Sequence, residues 1–287
     1  MLSFIAIMVW ICGFGGAPVQ VSAKPAADAR VSSARLVVAR MAPVDDAGRR
    51  KVVTEELQRL GVKLHVEAFS RDGNDGWNVA TEAIGSGPRL LLGAHFDRAP
   101  AGQGAVDNAS GVATVLLLLA ELKKKPLEHH SVSAVFFDLH EKGMWGAEAY
   151  IEAHRSELPA EFVNVDTFGY GYTLWAMTAD AGPKSLELIR QAAAKAGLRA
   201  QLGSDYPLAD HAVFRKAGVA SASFSLAPQD EIDELIKLMK RGKFERSESK
   251  LLAVLHTEAD RPERVNAAAV VRGADAIETV LRGLDQQ

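Results

Sequence analysis

Cysteine is nearly missing from this chain: among 287 residues the only thiol belongs to Cys12. Beyond residue 23 there is therefore no disulfide and no thiolate ligand, and a metal held there must be held by carboxylates and imidazoles. Blocks of like charge are missing too. Lys123-Lys124-Lys125 is the longest basic run, placed where a helix should end, which is an ordinary site for cations. With a formal net charge of −3, this argues against a dedicated nucleic-acid binder. Apolar residues at 48% and charged residues at 24% exclude a disordered chain. No repeat and no interior linker divides the sequence, so it reads as one domain.

Charge is absent altogether from the start. Residues 1–23 contain no Asp, Glu, Lys or Arg, residues 4–14 are apolar, and Val21-Ser22-Ala23 fits a small-residue cleavage site before Lys24. Gly13, Gly15, Gly16 and Pro18 interrupt a stretch already short for a membrane span. These features predict a secretory signal at residues 1–23, a new N-terminus near Lys24, and a secreted or periplasmic protein. The dissenting feature is the lack of a basic leading region, which leaves an uncleaved anchor or a mis-assigned start as alternatives. Val9-Trp10-Ile11 before Cys12 makes a poor lipoprotein site, because the residues are bulky.

From Lys24 onward helical and strand patterns alternate. Helices are predicted over residues 26–44, 46–60, 111–124, 147–154, 184–196, 211–217, 231–241 and 265–284. Val112, Val115, Leu116 and Leu119 form one stripe of the third, and Leu117 and Leu118 widen it toward full burial. Strands are predicted over residues 62–69, 77–84, 89–94, 131–138, 162–165, 220–224 and 251–255. Residues 242–250 read as a mobile insertion. The alternation predicts an α/β fold: a single domain over residues 24–287 whose mostly parallel mixed sheet carries helices on both faces.

Open sheets of this kind take their ligands outside the carboxyl ends of the strands, and polar residues gather there. His95 and Asp97 follow one predicted strand, His140-Glu141 another, Asp166 a third and His256 the last, while Asp107 precedes a helix. Any one of these is commonplace as a turn former, a helix cap or a satisfied core residue. Their coincidence suggests a metal site built from oxygen and imidazole ligands, which suits zinc, manganese or cobalt.

At these residues the chain resembles the secreted zinc aminopeptidases typified by bacterial leucyl aminopeptidase, a superfamily that includes glutaminyl cyclases and glutamate carboxypeptidase. The matching segments are Gly93-Ala94-His95-Phe96-Asp97, residues 105–111, residues 136–146, Asp166, Asp210-His211 with Phe214 and Gly218, and His256-Thr257 with Asp260. The resemblance implies a zinc-exopeptidase-like fold and two zinc ions. It implies that His95 and Asp166 bind one ion, Glu141 and His256 the other, and that Asp107 bridges them. Asp97 would hold the His95 imidazole in its ligating tautomer. The implied chemistry is hydrolysis of N-terminal residues from peptide substrates by a zinc-activated water. Tyr206 matches the place of a tyrosine near the oxyanion, although a buried loop tyrosine with a backbone partner fits equally. Asp210 and His211 read as supporting residues.

One position departs from the pattern. The family carries two adjacent glutamates after its Phe-Phe-Asp strand, a general base and then a metal ligand, and here the pair is His140-Glu141. A one-residue shift would make Glu141 the base and His140 a ligand, but it breaks the spacing to Gly143 and Gly146. His140 is therefore expected at the base position, where an imidazole accepts protons near neutrality. The alternatives are a slow enzyme without that base, a metal-binding domain with little turnover, and a glutaminyl cyclase. Asn108-Ser110-Gly111 beside Asp107, together with both His95 and Asp166, favours the two-metal peptidase over the cyclase.

Overall fold

The computed structural model describes residues 23–286, so Cys12 and nearly all of the expected leader lie outside the described residues. Eight strands form one mixed sheet: β1 (Leu64–Arg71), β2 (Asn74–Thr81), β3 (Arg89–His95), β4 (Ser131–Phe137), β5 (Glu161–Val165), β6 (Thr173–Met177), β7 (Arg199–Gly203) and β8 (Ala220–Ala227). Their order is β1-β2-β4-β3-β5-β8-β6-β7. The middle, β4-β3-β5-β8, is parallel. A β1–β2 hairpin joins antiparallel on one side, and the parallel pair β6–β7 joins β8 antiparallel on the other. Asp72 and Gly73, both at positive φ, close the hairpin, as a tight two-residue turn requires.

Helices cover both faces: α1 (Ala23–Met41), α2 (Asp46–Arg59), α3 (Ser110–Lys124), α4 (Trp145–Ala153), α5 (Pro183–Lys195), α6 (Asp210–Lys216), α7 (Gln229–Arg241), α8 (Lys250–Val254) and α9 (Ala267–Leu284). The two-residue period of the strands divides the core. Leu90, Leu92, Ala94, Val132, Ala134 and Phe136 pack with α1, α3 and α9. Leu91, Val135, Phe137 and Phe162 turn to the opposite face and pack with α4 and α6. Helix α3 is buried nearly all round, as its widened stripe predicts. Residues 105–124 are long and apolar enough to cross a membrane, yet 89% of that window is buried in this core, which accounts for its composition.

Two expectations are corrected, and one segment gains detail. Residues 251–255 are not a strand: Ser249 caps the following turn by accepting from Leu252 N, and residues 250–254 form α8. A five-residue apolar run carries no decisive period, and the cap decided it. Strands β6 and β7 were not predicted, because both are short and β7 is a polar edge strand. Residues 242–250 are folded around a short turn at Arg246–Glu248 with reciprocal capping by Glu245 and Glu248.

Candidate metal centre

The chain leaves β3 for β4 on one side and then passes back to β5 on the other, so the carboxyl end of β3 is a topological switch point. Here the structure brings together all five residues expected as ligands. His95 ends β3 and has no exposed surface. Its Nε2 lies 3.1 Å from Asp107 Oδ1 and 3.6 Å from Asp166 Oδ1. On the other side of Asp107, His256 Nε2 lies 2.9 Å from Oδ2 and 3.1 Å from Glu141 Oε2. The two oxygens of one carboxylate thus face two separate imidazole–carboxylate pairs. The other Glu141 oxygen, Oε1, is buried without a hydrogen-bond partner.

This acid-rich setting governs protonation. Burial alone would depress the His95 pKa, but the carboxylates of Asp107, Asp166 and Asp97 hold it well above the usual imidazole range. Hydrogen bonds to Asp107 and Glu141 raise His256 to about 10. Burial opposes ionisation of Asp107, yet His256 and His95 overcome it and hold that carboxyl well below the usual carboxylate range.

A scaffold of buried polar groups fixes these side chains. The Asp97 carbonyl lies 3.2 Å from His95 Nδ1, with the carboxylate Oδ1 nearby at 3.3 Å, while Oδ2 accepts from Glu141 N at 3.0 Å, so one residue touches two expected ligands. Asp260 accepts from Ala105 N, Val106 N and Asp107 N, which holds the irregular turn Ala105–Ala109 carrying Asp107. Asn108 Oδ1 accepts from Gly111 N and Thr167 N while its amide donates to Val165 O, coupling the Asp107 turn to the Asp166 strand end. Gly111 permits this contact, since a Cβ there would lie 2.1 Å from Asn108 Oδ1. Arg49 on α2 is fully buried and donates to the carbonyls of Phe96, Gln103 and Gly104, gripping the loop between His95 and Asp107. The sequence reading missed Arg49, although it falls on the same helical face as Val52, Val53 and Leu57, a position where a cation needs a partner.

His140 stands beside the five. Its ring stacks on that of His95, with centroids 3.9 Å apart and planes 10° from parallel. Its Nδ1 lies 3.0 Å from Asp210 Oδ1. Burial depresses its pKa, but the charge of Asp210 prevails and raises it to about 9. A cavity of about 250 Å³ opens next to Asp107, His140, Asp166 and His256, with Trp175, Leu235, Leu251 and Leu255 in its wall. Tyr206 lines it as well, its hydroxyl 2.5 Å from Ser225 Oγ and 3.2 Å from Ser223 Oγ. The His211 ring packs edge-on against Tyr206, with centroids 5.6 Å apart; burial lowers its pKa to about 4, and its Nδ1 has no partner.

Comparisons with known proteins agree with this architecture. Aminopeptidase YwaD of Bacillus subtilis is 30% identical over 146 residues, which cover 47% of this chain and 31% of that protein. A probable lipoprotein aminopeptidase of Mycobacterium tuberculosis, LpqL, is 36% identical over 76 residues, 26% of this chain and 15% of that one. The chain therefore matches less than a third of the length of either relative. Among solved structures, a zinc aminopeptidase from Bacillus subtilis superposes with a TM-score of 0.56 at 21% identity, covering 74% of this chain and 51% of the other. A zinc-dependent exopeptidase from Parabacteroides distasonis gives 0.66 at 18% identity, with 89% and 97% covered. A glutaminyl cyclase from an Acidobacteriales bacterium gives 0.71 at 16% identity, with 94% and 99% covered. These structural likenesses establish a shared α/β fold. Residues 78–281, which carry every polar group of the centre except Arg49, match the sequence pattern of one peptidase family, and the chain is a member of peptidase family M28.

Proposed function

We propose that the chain is an exported zinc aminopeptidase with two ions at this centre. The observation that carries the reading is the division of Asp107, one oxygen toward His95 and Asp166, the other toward Glu141 and His256. The donor set fits zinc: three carboxylates and two imidazoles converge, no sulfur is present, and the buried Glu141 Oε1 awaits a partner. His95 and Asp166 would hold one ion, Glu141 and His256 the other, and Asp107 both. Zinc bound there supplies Lewis acidity toward a scissile carbonyl and acidifies the attacking water.

The remaining work falls to the chain. His140 accepts the proton of the attacking water and returns it to the departing amine. Asp97 fixes the His95 ring with Nε2 toward the centre. The Tyr206 hydroxyl donates to Ser225 Oγ, which itself donates to Asp166 O, so Tyr206 serves the developing oxyanion only by exchanging that bond. Tyr206→Phe tests this: kcat falls by about 10²–10³ if the hydroxyl acts, and is unchanged if Tyr206 is only a wall. The apolar wall formed by Trp175, Leu235, Leu251 and Leu255 selects an apolar N-terminal side chain.

Hydrolysis of a panel of aminoacyl-aminocoumarins by the purified protein, with zinc and with chelator, decides the matter. Zinc-dependent release with preference for leucyl or phenylalanyl substrates is expected. Cyclisation of a glutaminyl peptide without aminoacyl hydrolysis would replace the peptidase reading by the cyclase one. Export rests on the charge-free residues 1–23. An N-terminus near Lys24 in extracytoplasmic material supports it, and a cytosolic protein retaining Met1 overturns it.

A further inference from the structure

Asp210 is left without a task by the reading above, and its surroundings are unusual for a structural carboxylate. It has no exposed surface and opens α6. Its Oδ1 lies 3.0 Å from His140 Nδ1, and its Oδ2 is buried without a partner. An uncompensated buried carboxylate is costly, so its one close contact with a ring nitrogen is a strong constraint on that ring. The His140 ring is also pinned from the side by its parallel stack on His95 at 3.9 Å. A ring nitrogen of His140 lies within 4.8 Å of the ligand atoms of His95 and Asp166. Neutral imidazole has one donor and one acceptor nitrogen, and the hydrogen bond at one decides the character of the other. A carboxylate can only accept, so the proton belongs on Nδ1 and the lone pair on Nε2.

We propose that Asp210 is a positioning residue that fixes His140 as the Nδ1–H tautomer, so that a histidine–aspartate pair stands in for the glutamate expected at position 140. This rests on the base role assigned to His140 above. During hydrolysis an O–H bond of the attacking water breaks and an Nε2–H bond forms. The imidazolium faces the Asp210 charge, and the same proton then passes from Nε2 to the departing amine nitrogen as the C–N bond breaks. The Nδ1–H bond persists throughout, and Asp210 itself takes up no proton. An imidazole and a carboxylate attract, so a histidine is compatible with the buried Asp210 here.

The test needs no activity to begin. In the zinc-loaded protein labelled with ¹⁵N-histidine, long-range ¹H–¹⁵N correlation should show the His140 ring, identified by its loss in His140→Gln, protonated at Nδ1 and bare at Nε2. Asp210→Asn should mix or invert that tautomer, and Asp210→Glu should restore it in part. In kinetics, Asp210→Asn should lower kcat by about 10²–10⁴-fold, with KM and zinc content within about twofold. In a His140→Ala background the same change should cost less than about twofold, because the route through the ring is gone. An Nε2–H tautomer in the wild type overturns the proposal. So does an equal kcat loss in both backgrounds, which marks a merely structural aspartate. Loss of zinc from His140→Gln overturns it as well, by making His140 a ligand. If the zinc-loaded protein hydrolyses no aminoacyl substrate, the aminopeptidase reading fails, and the tautomer spectrum still decides the pair.

Discussion

A single carboxylate, Asp107, organises the centre, because its two oxygens address two imidazoles that do not otherwise meet. Asp107→Ala should therefore lose both zinc ions. His95→Ala or Asp166→Ala should empty one site first, and Glu141→Ala or His256→Ala the other. Metal analysis of the purified variants reads this, and two ions kept by Asp107→Ala would end the bridging assignment. At position 140 the proposed base role is separable from metal binding. His140→Ala should lower kcat by about 10²–10⁴-fold with zinc content unchanged. His140→Glu should also lower kcat, since it removes the ring that Asp210 holds in place. A rise in kcat on His140→Glu would mean that the histidine is a damaged base. Three residues at or beside the site, Leu139, Thr167 and His256, hold positive φ without being glycine. Such backbone is strained, and it aims the adjoining side chains in directions that a regular strand end does not offer.

At the level of elements, the loop from β3 to α3 and the end of β5 behave as one unit. Asp260 holds its turn, Asn108 ties it to Val165 and Thr167, and Arg49 reaches across from α2 to its carbonyls. Gly111→Ala should push Asn108 aside, because no carbon fits 2.1 Å from its amide oxygen. The expected cost is about 1–3 kcal/mol in stability, with zinc affinity lowered at a distance from the ligands themselves. Arg49→Met keeps the bulk but strands the carbonyls of Phe96, Gln103 and Gly104, at about 2–4 kcal/mol. Denaturant unfolding together with zinc titration checks both. Unchanged zinc affinity in a destabilised Gly111→Ala protein would show that the loop and the β5 end are not coupled.

For the molecule as a whole, zinc at the proposed centre would compete with protons for the same lone pairs. In the metal-free protein His256 is raised to about 10 and His140 to about 9. A proton that binds the folded state more tightly stabilises it. That stabilisation is complete below the unfolded imidazole value of about 6.5, and it is lost as pH rises through about 9 and then 10. The melting temperature of chelated protein should accordingly fall between pH 7 and 10. With zinc bound the ligand His256 is already deprotonated, so the loaded protein should lack the part of this decline near pH 10. Zinc uptake at pH 7.5 should release protons from His95 and His256. Calorimetry in buffers of differing ionisation enthalpy measures the number, and zero release would contradict the raised imidazole values.

The alternation of apolar stripes determined the α/β fold, because burial of a two-residue or 3.6-residue period is a local property of the chain. The same locality made His95, Asp107, Glu141 and Asp166 legible as a group, since strand ends and helix starts are where such a sheet keeps its ligands, whereas His256 was placed at the end of a strand that is in fact the helix α8. Residues 251–255 were misread because five apolar residues fit a strand or a helix equally, and a cap at Ser249 settled the matter. Strand β7 escaped because a polar edge strand has no buried face to give it a pattern. What only the tertiary structure decided is who faces whom. Asp210 is 70 residues from His140, Arg49 is 47 from Phe96, and Asp260 is 153 from Asp107. Contacts of that separation leave no period in the sequence. They exist because the packed core brings distant backbone segments within hydrogen-bond distance, where a buried charge must find its partner.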